Sequence, residues 1–116
     1  MAGSITHLIA GVPVSQLAVS VDWYARFFGR PPDARAGDEV LWDVDERATL
    51  FIEQSPIRAG AGRITFGVAG LDALLEGLSD RGIRYEHLET YPNGVRHVEI
   101  RDPDGNMLAF AEAPAC

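Results

Sequence analysis

The 116-residue chain contains no lysine; all ten of its basic residues are arginines. That absence excludes Schiff-base catalysis and a phosphate-binding loop built around a lysine. Cysteine is nearly as scarce. The single Cys116 is the last residue, so no internal disulfide is expected, and cysteine-cluster zinc sites are excluded. No apolar run approaches the roughly 20 residues that span a bilayer. The first residues lack the basic start and apolar stretch of a secretory signal, so a cytoplasmic protein is expected. Positive charge is in the minority: 17 acidic residues against 10 arginines leave a net charge of −7. A surface that acidic argues against nucleic acid or an anionic membrane as partner. Neither a nucleophile elbow nor a glycine-rich phosphate loop occurs.

What remains is an ordinary globular composition, 47% hydrophobic and 23% charged, in a chain sized for one domain. Ile5 to Val14 is rich in β-formers and leads to Ser15, a candidate helix N-cap. Leu17, Val21, Tyr24 and Phe28 follow at helical spacing, and Gly29 stops the helix. Two strands are expected next, Glu39 to Val44 and Ala48 to Gln54. A linker over 55–62 carries Pro56, Gly60 and Gly62. The pattern then returns: a strand over Arg63 to Val68, then a helix marked by Leu71, Leu74, Leu75 and Leu78 and ended by Gly82. Strands over Ile83 to Glu89, Val95 to Arg101 and Met107 to Glu112 complete it. Tyr91-Pro92-Asn93-Gly94 and Asp102-Pro103-Asp104-Gly105 have the proline and glycine placement of type I turns. The halves align at a separation of about 54 residues, which reads as βαβββ twice. Module one runs from about 5 to 54 and module two from about 63 to 113.

Strand alternation then sorts the faces. Leu8, Ala10, Val12, Val14, Leu50, Ile52, Ile64, Phe66, Val68, Val98, Ile100, Leu108 and Phe110 share an apolar face that should lie under the helices. Opposite them stand His7, Ile9, Gly11, Phe51, Glu53, Arg63, Thr65, His97, Glu99, Met107, Ala109 and Ala111. Small residues beside a few large apolar and charged ones have the composition of a cavity lining. Plain solvation of a one-sided sheet would also produce a mixed face. Trp42 alternates with Val40 and Val44 and is expected in the core. His87, on another strand, is expected to be exposed.

The stretch Val14-Ser15-Gln16-Leu17 through Ser20-Val21-Asp22-Trp23-Tyr24 to Phe28-Gly29 resembles the first-helix signature of the vicinal oxygen chelate superfamily. That superfamily groups glyoxalase I, bleomycin-resistance proteins and extradiol dioxygenases. The segment Asp102-Pro103-Asp104-Gly105-Asn106 resembles its DPDGN turn before the final strand, and the resemblance covers essentially the whole chain. It implies an α+β fold of two βαβββ modules forming a cup-shaped mixed sheet with helices outside, commonly closed by a second subunit.

In the family's metal-dependent members four ligands, usually His and Glu, come from the first and last strands of each half. Carried onto this sequence, those positions are Ile9, Phe51, Arg63 and Ala109, none of which binds a metal. The resemblance therefore implies a small-molecule-binding homodimer with no cofactor. Candidate ligand-binding residues are His7, Phe51, Glu53, Arg63, Thr65, His97, Glu99 and Met107, with Trp42 and Tyr91 as further aromatic groups for stacking. The acidity suits a cationic ligand. A displaced divalent-metal site on His7, Glu53, His97 and Glu99 is the alternative, as is acid–base catalysis by His7, His97 and Glu99 in a lyase, isomerase or dioxygenase of this type. A structural dimer with a vestigial cup is the third.

Overall fold

The structure, a computed structural model, describes residues 2–114; Cys116, for which no disulfide was expected, lies outside them. In chain order the elements are β1 (Leu8–Val14), α1 (Leu17–Phe28), β2 (Ala34–Ala36), β3 (Glu39–Asp45), β4 (Ala48–Gln54), β5 (Arg63–Val68), α2 (Leu71–Asp80), β6 (Glu86–Thr90), β7 (Arg96–Arg101) and β8 (Met107–Glu112). The strands form two four-stranded sheets, ordered β1-β4-β3-β2 and β5-β8-β7-β6. In each the first strand lies parallel to the last and the remaining pairs are antiparallel. This is the expected α+β architecture of two βαβββ units. Among the described residues no helix is long and apolar enough to cross a membrane.

Three local expectations need correction. The strand of the first unit that the sequence does not show is β2, directly after α1; it is only three residues long and fully exposed, too short to show an alternation after Pro31 and Pro32. The strand expected from Ile83 begins at Glu86; Ile83 instead closes α2, donating its N–H to the Leu78 carbonyl at 2.9 Å, and is buried. Ser15 does not cap α1. The N-cap is Gln16, which makes no side-chain capping bond. The free N–H of Leu17 is taken by Gln54 Oε1 at 2.9 Å, and that of Leu71 by Glu112 Oε2 at 2.7 Å. Each helix start is thus capped from the end of its own sheet's last pairing strand, a sign of the internal repeat.

The alternation reading of the core holds except at the start of β1, where Leu8 is exposed and Ala10 only half-buried because the core begins at Val12. Val12, Val14, Leu50, Ile52, Val98, Ile100, Leu108 and Phe110 are all buried, with Ile64, Phe66 and Val68 packed against them. Trp42 is fully buried. α1 lies across both sheets, which widens its apolar face. Tyr24 and Phe28 pack on Trp42 of the first sheet, with centroids 6.0 and 5.5 Å away. Phe27 packs on Phe66 and Phe110 of the second, at 5.9 and 5.6 Å. Gly29, with φ 74°, ends the helix as expected.

The units are joined by the turn between β7 and β8. Asp102 is 5% exposed, and its carboxylate accepts four hydrogen bonds: from Tyr24 Oη (2.7 Å), Asn106 Nδ2 (2.8 Å) and the amides of Asp104 and Asn106 (both 2.9 Å). Asn106, fully buried, donates from Nδ2 to the Pro13 carbonyl at 2.8 Å and accepts from the Gly60 and Gly62 amides at 3.0 and 2.7 Å. Asp104 accepts from the Ser15 amide at 3.0 Å and from its hydroxyl. Gly62 has to be glycine, because a Cβ there would stand 2.8 Å from Asn106 Oδ1.

Burial, then the Asp102 charge and hydrogen bond, then Asp104, hold the Tyr24 phenol well above its ordinary pKa. A raised folded-state pKa means that this contribution is whole below the unfolded value of about 10 and is lost as pH rises beyond it. Tyr24→Phe should cost about 1.5–3 kcal/mol in denaturant unfolding at neutral pH, the worth of a hydrogen bond to a buried charge. It should also flatten the loss of stability above about pH 10. Parallel alkaline profiles for the two proteins would contradict this assignment.

Candidate functional site

The sheet faces turned away from the helices carry the polar candidates. On the first sheet, Phe51 pairs with Gly11 on one side and Leu41 on the other. A Cβ on Gly11 would fall within 3.0 Å of three atoms of the Phe51 ring, so the missing side chain is the space the ring occupies. Glu53 pairs with Pro13 and Glu39 and is half-buried. His7, just before β1, does not meet Glu53. Its Nε2 lies 2.9 Å from Thr49 Oγ1, and Thr49 donates to Asp43 Oδ1 at 3.0 Å. Since the hydroxyl has one proton and gives it to the carboxylate, Nε2 of His7 must be the donor, which leaves Nδ1 free to accept a proton. Thr49 is 6% exposed although it faces away from the helices.

On the second sheet, β8 runs between β5 and β7. Met107 pairs with Arg63 and Arg101, and Ala109 with Thr65 and Glu99. Met107 and Ala109 are buried, at 6% and 3% exposure, because longer side chains on the flanking strands border them, while Arg63, Thr65 and Arg101 stay exposed. His97 stacks on Tyr91 with ring centroids 5.4 Å apart and planes 24° from parallel. Desolvation, then the Glu89 charge and hydrogen bond, then Glu99, raise the Tyr91 hydroxyl above its ordinary pKa, and Arg63 acts against them. Tyr91, Arg63, Glu99 and His97 therefore belong to one neighbourhood. At the seam between the sheets a recess of about 210 Å³ opens, lined by Thr49 and Thr65 together with Leu8, Ala10, Ile64 and Phe66.

The structure brings His97 and Glu99 onto one face, at the strand spacing expected, and keeps His7 and Glu53 on the other sheet. Trp42, offered as a stacking group, is enclosed in the core and cannot reach a ligand. Thr49 and Asp43, the partners of His7, had no signal in the sequence beyond their parity, because pairing across strands sets them. The four positions at which the resemblance places metal ligands hold Ile9, Phe51, Arg63 and Ala109. Three are hydrocarbon, and a guanidinium offers donors but no lone pair. They do not fit a metal.

The Gly11–Phe51 contact can be tested directly. Gly11→Ala should lower stability by about 1 kcal/mol or more, as overpacking does, and expose the Phe51 ring. In a Phe51→Ala background the same change should cost nothing. An equal cost in both backgrounds, measured by thermal unfolding, would show that the ring does not fill the space over Gly11.

Known proteins share this fold. The family model of the Glyoxalase/Bleomycin resistance protein/Dioxygenase superfamily matches residues 4–110. A solved structure described as a glyoxalase/bleomycin resistance protein, from Catenulispora acidiphila DSM 44928, shares 39% identity and superposes with a TM-score of 0.88, over 93% of this chain and 98% of that one. A lactoylglutathione lyase from Agrobacterium tumefaciens is similar in structure at 24% identity and TM-score 0.74, covering 90% and 91% of the two chains. A bleomycin-binding protein complexed with bleomycin is similar at 16% identity and TM-score 0.74, covering 90% and 95%. No curated protein sequence matches significantly. A family match over nearly the whole chain, two βαβββ units and the buried Asp102–Asn106 turn lead to one assignment: the chain belongs to the Glyoxalase/Bleomycin resistance protein/Dioxygenase superfamily.

Proposed function

We propose that this protein is a cytoplasmic homodimer that binds a small molecule on the sheet face turned away from its helices, without a metal at the family's four ligand positions. The observation that carries the reading is that face itself. Phe51, Tyr91, His97, Arg63, Thr65 and Glu99 combine aromatic, apolar and charged groups there, and neither helix lies over them. The chain exposes 7294 Å², against about 6,200 Å² for a compact monomer of its mass. Its radius of gyration is 15.0 Å, against about 13 Å for a compact domain of this length. The surplus of about 1,100 Å² exceeds the roughly 800 Å² that each partner contributes to a standard interface. A second copy is the natural cover.

Carboxylates outnumber arginines around these residues, with Glu39, Asp43, Glu53, Glu89 and Glu99 facing Arg63 and Arg101. That balance, with Phe51 and Tyr91 available to stack, favours a flat cationic ligand. A solved structure of the same fold is a bleomycin-binding protein complexed with bleomycin, which supports a small-molecule ligand. Acid–base catalysis is the second reading. It is favoured by the His7–Thr49–Asp43 chain, which leaves His7 Nδ1 available as a proton acceptor, and by structural likeness to a lactoylglutathione lyase.

Light scattering at micromolar concentration is expected to give twice the chain mass. Calorimetric titration with bleomycin and a panel of polycyclic cations should reach saturation with at least one of them. Phe51→Ala should weaken that binding by about tenfold, the 1.4 kcal/mol scale of a lost stacking contact. A monomer, or a panel of which no member saturates, would overturn the binding reading. Turnover of a bound compound that stops in His7→Gln would favour catalysis.

A further inference from the structure

At the β6–β7 edge of the second sheet, Glu86 and His87, which the ligand-binding reading does not use, meet Glu99, which it does. Glu86 and Glu99 are register partners across this antiparallel pair, so their carboxylates leave the sheet on the same side. His87, next to Glu86, should point to the opposite side by strand alternation. It does not. The register shifts between Glu86 and Glu89, and His87 takes φ 55°, the one left-handed non-glycine among the described residues. As a result one donor atom each from Glu86, His87 and Glu99 lie within 4.8 Å of one another.

Existing contacts leave this group short of positive charge. The Glu99 side chain is only 19% exposed, and its one ion-pair partner among the described residues is His87 Nε2 at 3.9 Å, beyond hydrogen-bond range. Arg101 Nε donates to Glu86 Oε1 at 2.9 Å, which neutralises one of the two carboxylates and leaves Glu86 Oε2 free. Glu86 is thus balanced by Arg101, while Glu99 has no cation within hydrogen-bond range among the described residues.

We propose that Glu86, His87 and Glu99 bind a divalent transition-metal ion of borderline character, of which Zn²⁺ is the representative. Two carboxylate oxygens and one imidazole nitrogen suit such an ion, whereas Ca²⁺ prefers six to eight oxygens and Cu(I) prefers sulfur. Donors about 2.0–2.2 Å from a tetrahedral zinc stand about 3.3 Å apart. Glu86 and His87 are exposed, so rotation of their side chains can close the present spacing, and water would complete the shell. The three ligands lie on β6 and β7; none of them is Ile9, Phe51, Arg63 or Ala109, although Glu99 is the register partner of Ala109, and the inference does not rest on ligand binding or dimerisation.

The test is calorimetric titration of the chelator-stripped, full-length protein with ZnCl₂, with the absorption spectrum of the Co²⁺ form as a second readout. One equivalent per chain is expected, together with the d–d bands of a cobalt ion held by nitrogen and oxygen. His87→Ala and Glu99→Gln should each weaken binding by no less than the roughly 10- to 100-fold lost with an outer-shell partner, while circular dichroism shows both variants folded. No binding up to millimolar metal overturns the proposal, as does tight binding that survives in both variants. Binding abolished by His7→Ala but intact in His87→Ala would place the ion elsewhere and overturn it equally.

Discussion

A buried aspartate and a buried asparagine, four residues apart in one turn, hold the two halves of this protein together. The Asp102 carboxylate accepts hydrogen bonds from Tyr24 of α1 and from its own turn, and the Asn106 amide grips the Pro13 carbonyl and the Gly60 and Gly62 amides. Every partner outside the turn belongs to the first unit or to the segment that follows it. A buried carboxylate is tolerable only when its lone pairs are filled, so the turn, α1 and the end of β1 form together or not at all. Gly60-Ala61-Gly62, which reads in the sequence as part of a linker, is a docked strap: its glycines let backbone approach Asn106 and the Asp104 carbonyl.

That joint decides what the rest of the molecule can do. With the turn on one side of both sheets and α1 lying across them, the apolar residues of two units make one core. The opposite faces are left without cover, and the polar side chains gather there. The short connections of each βαβββ unit give no further element to place over Phe51 or His97. Surface is therefore left over on these faces, and the proposed second copy or ligand would bury it. The two faces also differ in kind: the first presents a fixed His7–Thr49–Asp43 chain beside an aromatic ring, the second a denser group of opposite charges around Tyr91.

Much of this was legible in the residues because strands alternate with a period of two. Val12, Val14, Leu50, Ile52, Val98 and Ile100 were identifiable as core from parity alone, and the βαβββ repeat from turns and helix stops. What stayed hidden depends on pairing or on broken periodicity. Ser15 reads as an N-cap because local sequence cannot reveal that Asp104, 89 residues away, claims its hydroxyl. His7 and Glu53 share parity but sit at different register positions, so Thr49 takes the histidine. His87 breaks alternation through one left-handed residue, and no pattern announces that without a glycine or asparagine at the position.

The central claim is that the Asp102–Asn106 turn locks the units into one body. Native-state hydrogen exchange of the Ser15, Gly60 and Gly62 amides tests it most directly, because all three donate to side chains of that turn and none lies in a strand or helix. These amides should exchange only with global unfolding, with the same free energy as the amides of β4 and β8. Exchange at the rate of an open loop, while the strands stay protected, would show that the two units are held by packing alone and would contradict the account.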